Sequence, residues 1–257
     1  MSALRVTGRG FLEFAVLLGG LMLAGTGVHA ADAYDAATQH PGRAADDVKR
    51  DALDHPADVL RLAGIKPGMR VVDFLAGDGY YSELLSYVVG PDGHVLLLNN
   101  PSFEKYSEGA AVKRVAAQRL PNVEHQVVDL NQLHLPANSL DAVFLIKVYH
   151  DLYWVDPKGD WPKVNTGAVL DNIARAVKPG GVVVIVDHSA KPGAGNTVAS
   201  ALHRIDEAYA RQDWESRGLK LAGKSDVLRK PEDKRDQISY LPPAVGKTDR
   251  FVLVFRK

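Results

Sequence analysis

Polar residues capable of chemistry stand at the ends of apolar runs along this chain. Asp73, Gly77 and Gly79 follow Arg70-Val71-Val72, and Asn99 and Asn100 follow His94 to Leu98. Asp129 and Leu130 follow Val123 to Val128. Lys147, Tyr149, His150 and Asp151 close the run that begins at Leu140, and Asp187 and His188 follow Val182 to Val186. A core alone does not ask for charges and amides at the end of run after run. Gly77 and Gly79 have no side chain to keep a ligand away from the backbone, and a strand passing through glycines into a helix start is a geometry that nucleotide-like ligands use. His150 is the best candidate for a general base, because imidazole titrates near neutral pH; a capping or packing histidine fits the position equally. Tyr149 can orient an acceptor or cover a pocket. Asp151, Asp187 and His188 invite a Mg²⁺ or Ca²⁺ reading, but their spacing does not bring them together, and no metal ligand is assigned.

These residues need a sheet to position them. Strands are expected at Arg70 to Phe74, His94 to Leu98, Val123 to Val128, Leu140 to Val148 and Val182 to Val186, several of them nearly continuous apolar runs suited to burial on both faces. Helical stretches alternate with them: Tyr80 to Val89, Glu104 to Leu120 and Leu170 to Val177, the last stopped by Lys178-Pro179-Gly180-Gly181. This order predicts an α/β fold, a Rossmann-like open parallel sheet with helices on both faces. The tail adds a helix over Val198 to Arg217, the segment Gly218 to Val227, and a final strand over Arg250 to Arg256 in an antiparallel edge hairpin. In such a sheet the ligand lies outside the carboxyl ends of the strands, where the polar residues are. Trp154 and Trp161, around the segment from Asp156 to Lys163, are candidates for a lid. His203, Arg204 and Asp206 read as a solvated helix face that could border a pocket.

Lysine plus arginine and aspartate plus glutamate number 31 each, so no net basic field draws in nucleic acid. The absence of cysteine excludes disulfides, thiolate metal sites and a cysteine nucleophile. Arg5 and Arg9 precede an apolar stretch from Phe11 to Leu23, and Val28-His29-Ala30 fits a signal-peptidase site. The expected organisation is a signal peptide over 1–30, an extended arm running into a helix over 31–55, and one domain over 56–257. The expected location is periplasmic or secreted, with no stable membrane anchor after cleavage.

The loop Asp73-Phe74-Leu75-Ala76-Gly77-Asp78-Gly79 resembles the first motif of class I S-adenosylmethionine-dependent methyltransferases. Val127-Val128-Asp129, Leu135-Pro136-Ala137-Asn138-Ser139-Leu140-Asp141 and Leu170 to Gly181 resemble later motifs of that family. The resemblance covers Val59 to the C-terminus, and with the leader and Tyr149-His150-Asp151-Leu152 it points to a subgroup of predicted exported bacterial methyltransferases. It implies S-adenosylmethionine as cofactor and a small-molecule acceptor. Asp73, Leu75, Gly77 and Gly79 would line the methionine end, Asn99 would meet the ribose, Asp129 and Leu130 would meet adenine, Lys147 would also bind the cofactor, and His150 and Tyr149 would face the acceptor. Two positions depart from the pattern. Leu75 stands where the family loop has its first glycine, and Asn99 stands where the family has a carboxylate, a loss worth about 1–2 kcal/mol, or roughly tenfold in affinity. A second reading is a non-catalytic exported protein that holds an adenosyl ligand or a metabolite on the same scaffold.

Overall fold

Among the described residues, seven strands form where apolar and β-branched residues concentrate: β1 (Arg70–Phe74), β2 (His94–Asn99), β3 (Val123–Val127), β4 (Leu140–Ile146), β5 (Val177–His188), β6 (Lys220–Ser225) and β7 (Arg250–Arg256). They pair into one sheet in the order β3-β2-β1-β4-β5-β7-β6. The first five run parallel, while β7 is antiparallel to both β5 and β6, the edge hairpin expected. The computed structural model describes residues 32–156 and 158–257; the signal peptide expected over 1–30 lies outside them. Among the described residues, no helix is long and apolar enough to cross a membrane.

Side chains alternate across the strands, so each face of the sheet buries its own core. Val72, Phe74, Val143, Leu145, Val183 and Ile185 point to one face and Val71, Val95, Phe144, Val184 and Val254 to the other. The second face is covered by α1 (Ala33–Thr38), α3 (Pro56–Ala63) and α4 (Tyr80–Val89), with α2 (Ala45–Asp54) between the first two in the chain. The first face is covered by α7 (Thr166–Ala176) and α9 (Glu207–Glu215), which supply Leu170, Ile173 and Trp214.

Three expectations changed. Glu104 to Leu120 is not one helix but α5 (Pro101–Tyr106) and α6 (Ala110–Val115), parted by Gly109 at φ 72°. Asn100 caps α5 by accepting the Phe103 N–H, and Pro101 fills its first position, so the helix begins earlier than its apolar pattern suggests. Val198 to Arg217 likewise divides into α8 (Ala199–Leu202) and α9, because His203 turns left-handed at φ 49° and Asp206 starts a new cap. The segment before Pro56, expected as an extended arm running into a helix, forms two helices instead, and Tyr34 fixes it to the domain by donating its hydroxyl to the Ile65 carbonyl at 2.9 Å.

Candidate active site

The chain leaves β1 through a turn that three left-handed residues make possible: Leu75 at φ 54°, Gly77 at 61° and Gly79 at 79°. Leu75 adopts the conformation a glycine would hold without strain, at a cost of about 1–2 kcal/mol for an L-residue. Its side chain is 2% exposed and packs with Phe74 and Leu98 in the core, which offsets that cost. The two glycines serve different ends. A Cβ on Gly79 would lie 2.7 Å from Leu97 Cδ1 and 3.0 Å from Arg114 Cδ, so packing excludes a side chain there. A Cβ on Gly77 would meet nothing within 4 Å and would project into open space. Behind the turn, Asp73 is buried and accepts a hydrogen bond from Ser82 Oγ at 2.7 Å. Burial pushes its carboxyl up to about 6. A cation beside it would favour the ionised form.

At the end of β2, Asn99 is fully buried and closes onto the glycine turn. Its Oδ1 accepts the Gly77 N–H and its Nδ2 donates to the Gly77 carbonyl, both at 2.9 Å. The same Nδ2 donates to Glu104 Oε2 at 3.1 Å, an oxygen that also lies 3.0 Å from His125 Nε2. Glu104 therefore brings a carboxylate to the strand end where position 99 lacks one. This residue was missed in the sequence because it reads there as the first position of a long helix. An aspartate at 99 would set a carboxylate oxygen against the Gly77 carbonyl and the Glu104 carboxylate. Asn99→Asp is thus expected to cost about 1–3 kcal/mol of stability in chemical denaturation and to weaken the site, although it restores the family's residue type. A variant as stable as the parent would show that these bonds contribute nothing. Asp129 at the end of β3 is exposed and caps a short 3₁₀ turn by accepting the Asn131 N–H, and Leu130 is buried behind it.

Across the strand ends, α2 places a second group that sequence reading took for part of an arm. Asp54 accepts hydrogen bonds from Arg50 Nε at 2.7 Å and Lys147 Nζ at 3.0 Å, and it also pairs with Arg250 from β7. Burial alone would raise the Asp54 carboxyl, but Lys147, Arg250 and Arg50 outweigh it and hold it well below the usual range. Lys147 moves the same way: burial, together with repulsion from Arg50 and Arg250, pushes its ammonium down to about 8 despite Asp54. The two shifts agree because one carboxylate is shared among three cations. Arg50 also lies 4.0 Å above the Tyr80 ring. Together with Asp73, Leu75 and Tyr80, Arg50 borders a small cavity at the methionine end of the expected site.

The ends of β4 and β5 gather the histidines. His150 is 3% exposed and held from both sides, its Nδ1 2.7 Å from Asp187 Oδ1 and its Nε2 3.2 Å from Asp151 Oδ1. Burial opposes a charge on this imidazole, but Asp151 and Asp187 outweigh it and push it up to about 10. His203, expected on a solvated face, instead turns inward with Nδ1 3.3 Å from Asp151 Oδ1. His188 faces elsewhere, 2.8 Å from Thr248 Oγ1 through Nδ1, and burial with His150 and Lys147 nearby holds it neutral, well below its ordinary value. Tyr149 is fully buried, and its hydroxyl donates to Asp213 on α9, away from the histidines. Trp154 packs on His203 at 5.0 Å and on Trp161 at 5.6 Å, and Trp161 reaches Phe103 of α5 at 5.5 Å. The expected lid residues thus join one aromatic chain that runs from His203 through Trp154 and Trp161 to Phe103.

S-adenosylmethionine fits these residues on two counts. Gly77 leaves open space along backbone that a ligand can approach. Beside it, Asn100 Nδ2 and Glu104 Oε1 are buried without a hydrogen-bond partner, an orphan donor and an orphan acceptor where a ribose would present hydroxyls that can do both.

Residues 47–225 match the family described as a methyltransferase domain. The ubiquinone/menaquinone biosynthesis C-methyltransferase UbiE of Ectopseudomonas mendocina is 30% identical over 135 residues, which is 52% of this chain and 47% of that protein. The chain therefore spans about half the length of the curated relatives it matches. Among solved structures, a SAM-dependent methyltransferase from Aquifex aeolicus superposes with a TM-score of 0.58 at 23% identity, covering 82% of this chain and 93% of that one. An S-adenosylmethionine-dependent methyltransferase from Mesorhizobium loti gives 0.54 at 15% identity, covering 80% and 100%. At these identities the structural likeness speaks for the fold alone. With the matched domain taking in the glycine turn, the β2 end and both histidine-bearing strand ends, this chain belongs to the class I S-adenosylmethionine-dependent methyltransferases.

Proposed function

We propose that this methyltransferase acts on a small molecule with a flat, partly apolar body, bound against the His150–Asp151–His203 face at the ends of β4 and β5. The observation that carries the reading is the aromatic wall around that face. Trp154 and Tyr240 flank the His203 ring at 5.0 and 4.7 Å, and Trp161 stands behind Trp154. Flat aromatic surfaces of this kind suit a planar acceptor. The matching relatives point the same way, since their printed names make them C-methyltransferases of quinone biosynthesis. The rival reading, a binding protein without turnover, is not favoured for a chain whose matching domain is a methyltransferase.

When bound, S-adenosylmethionine supplies a methyl group on a positively charged sulfur. The chain's own tasks are alignment and proton removal. Gly77 admits the methionine end, while Glu104 and Asn100 orient the ribose. Asp73, ionised beside a cation, balances its charge. Asp187 holds His150 through both its backbone N–H, at 2.9 Å, and its ring. His150 in turn sets Asp151, so that the cluster presents a fixed polar face to the acceptor's reacting group. Tyr149, with its hydroxyl committed to Asp213, shapes the wall without touching the acceptor.

Methyl transfer from radiolabelled S-adenosylmethionine to a panel of phenols, quinols and aliphatic amines tests the reading. Label should pass to planar phenols or quinols, and Trp154→Ala should raise KM for them more than it lowers kcat. Transfer to aliphatic amines alone, or to none of the panel, would contradict it.

A further inference from the structure

Three side chains, two just past the end of β4 and one between α8 and α9, converge on one point. His150, Asp151 and His203 each bring a ligand atom within 4.8 Å of the others, and Asp151 Oδ1 lies 3.2 Å from His150 Nε2 and 3.3 Å from His203 Nδ1. We propose that they hold a divalent transition-metal ion of the zinc class. Ligands ~2.0–2.2 Å from one ion stand about 3.0–3.5 Å apart along the edges of its coordination shell, and both separations fall in that range. Two imidazoles and one carboxylate are a nitrogen-rich set that suits Zn²⁺ or Co²⁺ rather than Mg²⁺ or Ca²⁺, and three protein ligands leave a position open for substrate.

A second, independent feature is the support behind the first ligand. Asp187 is fully buried at the end of β5, and one of its oxygens lies 2.7 Å from His150 Nδ1 while the other accepts the His150 backbone N–H at 2.9 Å. A carboxylate on the far nitrogen of an imidazole fixes the ring and leaves Nε2 as the ligand atom. The trio differs from the Asp151, Asp187 and His188 grouping considered from sequence. His188 is turned to Thr248, Asp187 stands behind His150, and His203 takes their place after the chain breaks between α8 and α9.

The consequence for catalysis rests on the methyltransferase reading above. An O–H group of the acceptor that occupies the open position becomes more acidic and loses its proton to water. Its lone pair then forms the bond to the methyl carbon as the carbon–sulfur bond breaks, and that bonding pair stays on sulfur.

Titration of the full chain, stripped with a chelator, with Co²⁺ followed by visible absorption and with Zn²⁺ followed by calorimetry tests the site. One ion per chain is expected, with a visible band of four- or five-coordinate Co²⁺. His203→Gln and Asp151→Asn should each weaken it by about 100-fold, and Asp187→Asn by about 10–100-fold, while affinity for S-adenosylmethionine stays the same. If Asp151→Asn fails to fold, His203→Gln decides the matter. No ion bound by the folded chain, or binding that His203→Gln leaves unchanged, overturns the proposal. Retained S-adenosylmethionine binding in that event leaves the methyltransferase reading intact, whereas a chain that binds the ion but no S-adenosylmethionine overturns the reading and not the metal site.

Discussion

Replacing Gly77 with valine is expected to abolish S-adenosylmethionine binding, by at least 100-fold in equilibrium dialysis, while the chain stays folded. Gly77 sits at φ 61°, and the direction a Cβ would take is empty to 4 Å. A valine there enters that space without striking protein atoms, so the ligand and not the fold meets most of the obstruction. The left-handed conformation adds about 1–2 kcal/mol of strain, and somewhat more for a β-branched residue. That lowers the melting temperature by several degrees without unfolding a domain of this size. Gly77→Ala shares the strain with far less bulk and should lose much less affinity, which separates obstruction from backbone distortion. Parental affinity in a folded Gly77→Val chain would move the cofactor away from this turn.

The second large effect is expected at Asp54. This carboxylate is the shared partner of Arg250, Lys147 and Arg50. Its side chain is 7% exposed and that of Arg250 is 6% exposed, so water cannot replace it. Asp54→Ala leaves buried cations without their counter-ion and should cost about 3–5 kcal/mol in denaturant unfolding near neutral pH. Asp54→Asn keeps the shape and some hydrogen bonding but not the charge, and should fall between. The pH dependence has a definite sign. A carboxyl whose folded pKa lies below its unfolded value of 3.8 contributes stability that is complete above about pH 4 and is lost as the pH falls further. The gap between parent and Asp54→Ala should therefore narrow on acidification below about pH 4. Lys147 acts in the opposite range. Its folded value of about 8 lies below the unfolded 10.5, so its charge disfavours the fold, and the penalty is relieved as pH rises from about 8 to about 10. A constant gap across the acid range would show that Asp54 does not carry this stability.

What could be read from the sequence and what could not divides along a physical line. The β1 strand, the glycine turn and the Tyr80–Val89 helix were legible because local rules decide them: an apolar run, two residues free to turn left-handed, and an apolar helix after them. The edge hairpin of β6 and β7 was legible for a similar reason. Glu104 was not, because its importance depends on Asn99 closing onto Gly77. The Asn100-Pro101 pair, a cap followed by a first-turn proline, was the available signal that a helix begins there. Asp54 was hidden because one of its partners, Arg250, lies 196 positions away, and a charged stretch before the domain gives no hint of burial. His203 was misplaced because a helical period was extended through a residue that breaks it. Only the tertiary fold makes its left-handed turn worthwhile, by bringing the ring to Asp151. Leu75 and Asn99, the two departures from the family loop, prove to be accommodated locally: one by core packing, the other by a closed set of hydrogen bonds.

The measurement that bears most directly on this account is calorimetric titration of the chain with S-adenosylmethionine and with S-adenosylhomocysteine. Binding of both at one site per chain, in the micromolar range and weakened about tenfold by Glu104→Gln, is the predicted result. Absence of heat with either ligand, from protein shown to be folded, would contradict the placement of the cofactor on the Gly77 turn and the β2 end.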